Sequence, residues 1–186
     1  MEKCIIEYKT PSGFDNLYIS SEDNFITGIW FKGSKDEKKH LEDFEFKENS
    51  ALLKAKKWLD YYFLKKEPEF TLDYKISSLT PFRKIVLEEV SKIPFGHVLT
   101  YKDIADKVKK ALNKEKMSSQ AVGGAVGFNP ICIYIPCHRV VGQNGKMIGY
   151  GGGINKKNSF FKIESTCLNK KKEISIKFYL KNKGEN

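Results

Sequence analysis

The order of secondary-structure patterns along the chain constrains its fold most. Three short stretches rich in β-branched and aromatic residues, CIIEYKT, NLYISS and FITGIWF, come first and are separated by the turn sequences PSGFD and SEDN. A helical pattern follows, in which Asn49 and Ser50 are suited to cap the segment ALLKAKKWLDYYFLKK. The segment EPEFTLDYKISSLT then predicts a further strand and a linker. Strands grouped ahead of helices predict an antiparallel meander with one helix, and the whole chain is assigned to the α+β class.

The pattern changes at Thr80, after which helices dominate. Thr80 and Pro81 predict the start of a helix through FRKIVLEEVSKI, and Thr100 predicts the cap of a second helix. A third, short helix, QAVGGAVG, is predicted after two serines and ends before an Asn-Pro pair. A helix, a turn and a short helix predict a helix-turn-helix. We therefore divide the chain into an α/β domain (1–76), a helix-turn-helix domain (77–165) and a lysine-rich tail (166–186).

The net charge of the chain indicates the class of its partner, and the spacing of its cysteines indicates its cellular compartment. The 186 residues carry a formal net charge of +10, which favours a polyanionic partner, although a lysine-rich solvated surface gives the same number. The four cysteines show no CxxC spacing, which indicates free thiols in a reducing compartment. Cys4 and His40 are too few for a zinc site, so no metal is expected. The sequence contains neither a signal-peptide pattern nor an apolar run of membrane-spanning length, and we expect a cytoplasmic protein without a membrane partner.

The glycine-rich helix pattern needs an explanation of its own. Gly123 and Gly124 each cost a helix about 1 kcal/mol relative to alanine. One explanation is close helix packing inside the domain, and the other is a ligand that the helix backbone must approach closely. The small side chains around them provide no series of Arg, Asn or Gln that could read base edges in a major groove. A helix of this kind would read the shape of DNA.

A candidate nucleophile follows the apolar run Ile131–Ile135, which predicts a buried strand ended by Pro136. Cys137, His138 and Arg139 come next, and basic neighbours favour the reactive thiolate over the thiol. Three other interpretations remain open for these residues. They are an inert core thiol, a metal site that also uses Cys132 and Cys167, and the nucleophile of a cysteine hydrolase. Converging Cys137 and His138 would require a turn, which Pro136 makes possible.

The ordered motifs of the second half resemble one family. The stretch IPCHRVVGQNGKMIGYGGG resembles the active-site segment of the O6-alkylguanine-DNA alkyltransferases, and the resemblance extends through FGHVLTYKDIA, QAVGGAVGFNP and IES, over residues 80–165. The first half is similar to the family mostly in the order of its elements. The resemblance implies a small N-terminal ribonuclease H-like α/β domain, followed by a mainly helical, winged-helix-like domain with the helix-turn-helix.

The resemblance also implies an activity. Members of the family move an alkyl group from O6 of guanine in double-stranded DNA, and in some cases from O4 of thymine, to a cysteine, here Cys137. The transfer is irreversible, uses no cofactor and occurs once for each molecule, which is expected to be a monomer. The helix-turn-helix is expected to bind the minor groove, and the damaged base to be flipped out of the duplex.

Individual roles follow by matching position to the family's motifs. His138 would accept the thiol proton through a water, Glu164 would orient the imidazole, Tyr101 would donate to the departing purine, and Asn129 would hold the segment after the short helix. The residues expected to contact the substrate are Val126, Val140, Tyr150, Gly151 and Gly152. Those expected to contact DNA are Ser118, Ser119, Gln120, Ala121, Gly124 and Arg139.

One position departs from the family's pattern. Many members carry an arginine, inserted into the duplex, immediately before AVGGA, where this chain has Gln120. Glutamine can hydrogen bond the orphaned base but carries no charge, and Lys114 or Lys116 could contact phosphates instead. A damage sensor that holds the base without transferring anything is the alternative from another class. The presence of Cys137 disfavours it, because related sensors have another residue there.

Overall fold

The computed structural model describes residues 2–34, 43–148 and 153–165. These residues form a mixed α/β structure in two compact units. The first unit contains the described residues up to Ser78 together with Pro130–Cys132. The second contains Leu79–Asn129 and the described residues from Ile133 onward. No helix within the described ranges is long and apolar enough to cross a membrane.

The first unit is built on a four-stranded sheet. Its strands are β1 (Lys3–Tyr8), β2 (Leu17–Glu22), β3 (Phe25–Phe31) and β4 (Glu45–Phe46). The spatial order is β3-β2-β1-β4, in which the first three strands run antiparallel and β4 runs parallel to β1. The predicted meander of three antiparallel strands is confirmed, and its two turns fall at PSGFD and SEDN.

The helix α1 (Ser50–Phe63) packs against the first three strands. Its predicted cap is confirmed, since the side chain of Asn49 accepts a hydrogen bond from the backbone N–H of Leu52. Leu52, Leu59 and Tyr62 are fully buried at helical spacing. This apolar stripe and the sheet form the core of the first unit.

Two segments of the first unit differ from expectation. The strand predicted in EPEFTLDYKISSLT is wrong, because within the described residues it is reduced to one bridge between Tyr74 and Ile26. The segment Pro130–Cys132 also joins this unit, where Ile29 donates to the Pro130 carbonyl and accepts from the Cys132 N–H, each at 2.9 Å. Nothing local in the sequence predicts that pairing, since the two partners are about a hundred residues apart.

The second unit is mainly helical. Its helices are α2 (Pro81–Ser91), α3 (Tyr101–Ala111), α4 (Ser119–Gly127) and α5 (Ile154–Ser165). Thr80 caps α2, Thr100 forms a capping box with Asp103 at α3, and the Ser118 hydroxyl accepts from two N–H groups of α4. The predicted starts of these three helices are confirmed, and α2, α3 and α4 pack against one another.

Two very short strands join the helices to the segment that contains Cys137. The strand β5 (Leu99–Thr100) runs parallel to β6 (Val140–Val141). A 3₁₀ turn, Cys137–Arg139, precedes β6, and a second one, Gln143–Gly145, follows it. The pairing sets the start of α3 beside the chain that leaves Cys137.

The strand predicted for Ile131–Ile135 is wrong. Ile131, Ile133 and Ile135 are buried and the residues between them are partly exposed, so the alternation is present. The backbone is nevertheless a series of turns, with Ile133 in the left-handed region at φ 71°. A β-branched residue in that conformation is strained, and it ends any regular strand.

Candidate active site

The thiol of Cys137 lies at the start of a tight turn. Pro136 precedes it with φ −81° and ψ 63°, and the N–H of Arg139 donates to the Pro136 carbonyl at 2.9 Å. The N–H of Cys137 donates to the Ile135 carbonyl at 2.8 Å. Only 6% of Cys137 is exposed. The turn predicted at Pro136 is confirmed, and it breaks the alternation that would have placed Cys137 and His138 on opposite faces.

His138 is fully buried beside Glu164. The imidazole Nε2 lies 2.8 Å from Glu164 Oε1, and the ring packs against Phe160 at 4.9 Å between centroids. Burial lowers the pKa of His138, and the attraction of Glu164 only partly opposes it. The imidazole is therefore neutral near pH 7. With an ionised carboxylate at Nε2, the proton of the neutral ring belongs on Nε2, which makes Nδ1 the basic nitrogen.

Glu164 is the anchor of this cluster. Its carboxylate accepts from Arg139 Nε and Nη2 at 3.0–3.1 Å and from the backbone N–H of Gly96 at 3.0 Å. Burial alone would raise the pKa of Glu164, but the charges and hydrogen bonds of His138 and Arg139 lower it to about 2. Because His138 is neutral, the permanent charge of Arg139 is the charge that stabilises the ionised form of Glu164. Glu164 is therefore ionised at every pH at which the protein would function.

Arg139 does not have the position expected for a DNA contact. Only 7% of the residue is exposed. Its guanidinium binds Glu164, donates to the Ile93 carbonyl at 2.6 Å and lies over the ring of Phe95 at 5.4 Å. The expectation of a DNA contact is corrected on this ground, since a guanidinium held on these sides cannot reach a phosphate. Its role in the structure is to hold Glu164.

Asn129 is joined directly to the turn of Cys137. Its Nδ2 donates to the Ile135 carbonyl at 2.8 Å, and the residue is 8% exposed. The same carbonyl accepts the N–H of Cys137. Because a carbonyl oxygen can accept two hydrogen bonds, one atom connects the end of α4 to the nucleophile. This contact lies within the segment that Asn129 was expected to hold.

Tyr101 lines a cavity of about 640 Å³. Its hydroxyl donates to the Ile148 carbonyl at 3.2 Å. Burial, and then the charge of Cys137, raises the pKa of Tyr101 to about 12, so the hydroxyl stays protonated. The described residues that line the cavity come from α3, α4 and the chain after β6, and include Tyr101, Ser119, Gln120, Gly123, Asn144 and Ile148. This volume is in the range of sites for small molecules or single bases.

The glycines of α4 are not required by packing. A Cβ added at Gly124 would meet nothing within 4 Å, and one at Gly123 would make only an ordinary contact with the Tyr101 ring, at 3.7 Å. Close helix packing therefore does not explain Gly124. The residues predicted to contact DNA around it, Ser118 to Ala121, are all exposed. The remaining explanation is that the face of α4 must admit another molecule.

The other expected residues lie in several places. Val126 and Val140 are buried, at 2% and 0% exposure. Tyr150, Gly151 and Gly152 lie outside the described residues, as do His40 and Cys167. Lys114 and Lys116 are exposed.

Sequence reasoning missed one charged residue. Lys157 is fully buried in α5, on the face that also carries Phe160, Phe161 and Glu164. The spacing i, i+3, i+4, i+7 was a usable signal, because it places this lysine on an apolar helix face.

The turn that contains the buried thiol of Cys137 lies beside the neutral His138 and the ionised Glu164. In this arrangement the cysteine can act as a nucleophile. Residues 81–166 match the family model of the 6-O-methylguanine DNA methyltransferase DNA-binding domain. The methylated-DNA–protein-cysteine methyltransferase of Mycobacterium leprae is 38% identical over 117 residues, 63% of this chain and 67% of that protein. The protein of the same name from Methanosarcina acetivorans is 36% identical over 86% of this chain and 97% of its own.

Solved structures agree with these relatives. The O6-methylguanine methyltransferase of Mycobacterium tuberculosis, in a variant form, aligns with a TM-score of 0.74 and 27% identity over 91% of this chain and 96% of that one. The same organism's protein in complex with DNA aligns with a TM-score of 0.72, covering 90% and 94%. The chain belongs to the family of methylated-DNA–protein-cysteine methyltransferases.

Proposed function

We propose that this protein repairs DNA by transferring the alkyl group of O6-alkylguanine to Sγ of Cys137, in one irreversible turnover. The observation that carries the proposal is the buried arrangement of Cys137, His138 and Glu164 in a chain of this family. The bond between the alkyl carbon and O6 breaks as the bond between carbon and Sγ forms. O4-alkylthymine is included as a second lesion, and no cofactor takes part.

The thiol must lose its proton before it attacks. His138 accepts that proton at Nδ1 through a water, because Glu164 engages Nε2. The ionised Glu164 stabilises the imidazolium that forms. The neutral state of His138 suits this role, since a histidine already charged could not accept the proton.

The departing guanine needs a proton or a hydrogen bond at its purine ring. Tyr101 supplies it, because its high pKa keeps the hydroxyl protonated, and the residue lines the cavity after β6. The backbone of Val140 contributes to binding the base edge, with Tyr150, Gly151 and Gly152 as further contacts outside the described residues. Val126 is buried in α4, and we propose that its side chain limits the size of the alkyl group.

DNA is bound by the helices α3 and α4, acting as a helix-turn-helix in the minor groove. The exposed, glycine-containing face of α4 can come close to the backbone of the duplex without side chains in the way. The damaged base is flipped into the cavity at a cost of a few kcal/mol, which is smaller for a damaged pair. Gln120, exposed at the cavity rim, fills the space that the base leaves.

The first unit is ribonuclease H-like and the second is winged-helix-like, with domains at 1–76 and 77–165 and a tail at 166–186. The protein acts as a cytoplasmic monomer.

The acceptor assignment is tested with Cys137→Ser and, as a matched control, Cys132→Ser. Each variant is mixed with a duplex that carries one O6-methylguanine, and the methyl group remaining on the DNA is measured. The Cys137 variant should remove none while still binding the duplex, and the Cys132 variant should match the wild type. Repair by Cys137→Ser would show that another residue is the acceptor.

A further inference from the structure

Lys157 is a buried charge for which the proposed mechanism has no use. Its exposed fraction is 0%, whereas Lys162 in the same helix is exposed. Lysine is almost never fully buried unless something pairs with its charge. The position of Lys157 therefore needs a partner.

The contacts of the ammonium are neutral. Nζ donates to the Val140 carbonyl at 2.5 Å and to the Ile148 carbonyl at 3.2 Å, and it lies 6.0 Å from the centroid of the Tyr101 ring. Among the described residues, no carboxylate lies within ion-pair distance of Nζ. Carbonyl oxygens satisfy the donors but do not neutralise the charge, so the cation is costly unless an anion is near.

Cys137 is a group of this region that can become an anion, and its charge acts on Lys157. Val140, whose carbonyl holds Nζ, donates its own N–H to the Cys137 carbonyl, so the ammonium lies against the same turn. Burial lowers the pKa of Lys157 to about 8, and the charge of Cys137 opposes that effect. The influence is mutual, because a charge that stabilises the ammonium is itself stabilised by it.

The pKa shifts of His138 and Tyr101 are consistent with a charged Lys157 close to Cys137. The charge of Lys157 contributes to the low pKa of His138, after burial and together with Arg139, and so helps to keep the imidazole neutral. Tyr101 shares the Ile148 carbonyl with Lys157, and burial followed by the charge of Cys137 raises its pKa. The titratable and charged groups facing this region are therefore Cys137, His138, Tyr101, Arg139 and Glu164.

We propose that Lys157 is the positioning residue that stabilises the thiolate of Cys137 before transfer, as a buried counter-ion held by the carbonyls of Val140 and Ile148. The inference rests on the proposed function, since it deepens the role of the same cysteine. During the transfer the negative charge leaves sulfur for the guanine, and the product thioether is neutral. The ammonium thus favours the reactant ion and gains nothing from the product.

The test uses two variants that separate charge from hydrogen bonding. Lys157→Met removes both, and Lys157→Gln keeps a donor for the carbonyls without the charge. Lys162→Met is the matched control, because it removes an exposed charge from the same helix. The single-turnover rate of methyl transfer is measured from pH 6.5 to 9.5, and modification of Cys137 by iodoacetamide is followed over the same range by peptide mass.

Both Lys157 variants should be roughly tenfold slower at pH 7 in both reactions, because each unit of thiol pKa changes the thiolate fraction tenfold. The deficit should shrink toward pH 9.5, where the thiolate forms without help. The control should match the wild type at every pH. A rate difference between wild type and the Lys157 variants that becomes smaller as pH rises is the signature of a counter-ion, because a purely structural defect would not depend on pH.

Two results would overturn the counter-ion role. One is a deficit of the same size at every pH, and the other is a Lys157→Gln variant as fast as wild type. Wild-type protein that takes up no methyl group would instead refute the proposed function, and the iodoacetamide profile would still decide whether Lys157 stabilises the thiolate.

Discussion

Replacing Glu164 with glutamine should destabilise the protein more than any other isosteric change at the site. The carboxylate is fully buried and binds His138, Arg139 and the N–H of Gly96. Glutamine has almost the same shape but no charge, and its NH₂ group would face the donors of Arg139 or Gly96. The guanidinium of Arg139 would then remain buried without a counter-charge.

The magnitude follows from the buried ion pair between Glu164 and Arg139. Breaking a buried ion pair by removing one partner costs about 3–5 kcal/mol. For a chain of this size, each kcal/mol shifts Tm by about 2–4 °C, so the expected loss is about 6–20 °C.

Thermal unfolding of Glu164→Gln, wild type and Glu88→Gln at pH 7 measures this effect. Glu88 is exposed on α2, so its variant removes the same charge without disturbing a buried network. The control should unfold within about 1 °C of wild type, since a surface substitution usually changes stability by less than 0.5 kcal/mol. A Glu164→Gln variant that unfolds with its control would refute the view that this carboxylate holds the cluster together.

Three further predictions concern other parts of the second unit. Asn129→Ala should lose about 1–3 kcal/mol of unfolding free energy in urea titrations, because the buried Ile135 carbonyl loses a donor, and should slow transfer as well. Gly124→Ala should raise the unfolding free energy by about 0.5–1 kcal/mol and weaken duplex binding measured by anisotropy, since the helix gains propensity while its exposed face gains a methyl group. The unfolding free energy should fall as pH drops below 6.5, because burial lowers the pKa of His138 and only the unfolded chain takes up its proton there. A further fall is expected below pH 4.5, where the depressed pKa of Glu164 has the same consequence.

Local chemistry made the starts of the helices predictable. Asn49 and Thr100 cap helices in the structure as their sequence contexts predicted, because capping depends on a side chain and the next three residues. The helices predicted at Thr80–Pro81 and after the two serines begin at Pro81 and Ser119. The three-stranded meander was predictable for a similar reason. Its strands are separated only by short turns.

Features that depend on distant contacts were not predictable in this way. The alternation of Ile131–Ile135 is present, yet Ile133 is left-handed, and Ile131 pairs with a strand about a hundred residues earlier. Arg139 was expected at DNA by matching its position to the family's motifs. Only the position of Glu164, 25 residues later, shows that it is buried.

The residues of the candidate site also differ in how far local sequence predicts them. The identities of Cys137 and His138 came from a contiguous motif, and their turn followed from Pro136. Lys157 was missed because it is one of three lysines in α5, although its spacing to Phe160, Phe161 and Glu164 places it on the buried face of that helix.

The most direct test of the proposed transfer is the mass of the intact protein after reaction with excess duplex carrying one O6-methylguanine. We expect a gain of one methyl group per molecule, located on Cys137 by peptide mapping, with no second equivalent however long the reaction continues. An unchanged mass with tight, lesion-selective binding would contradict it and indicate a sensor of damage. A methyl group found on another residue would contradict the assignment of Cys137.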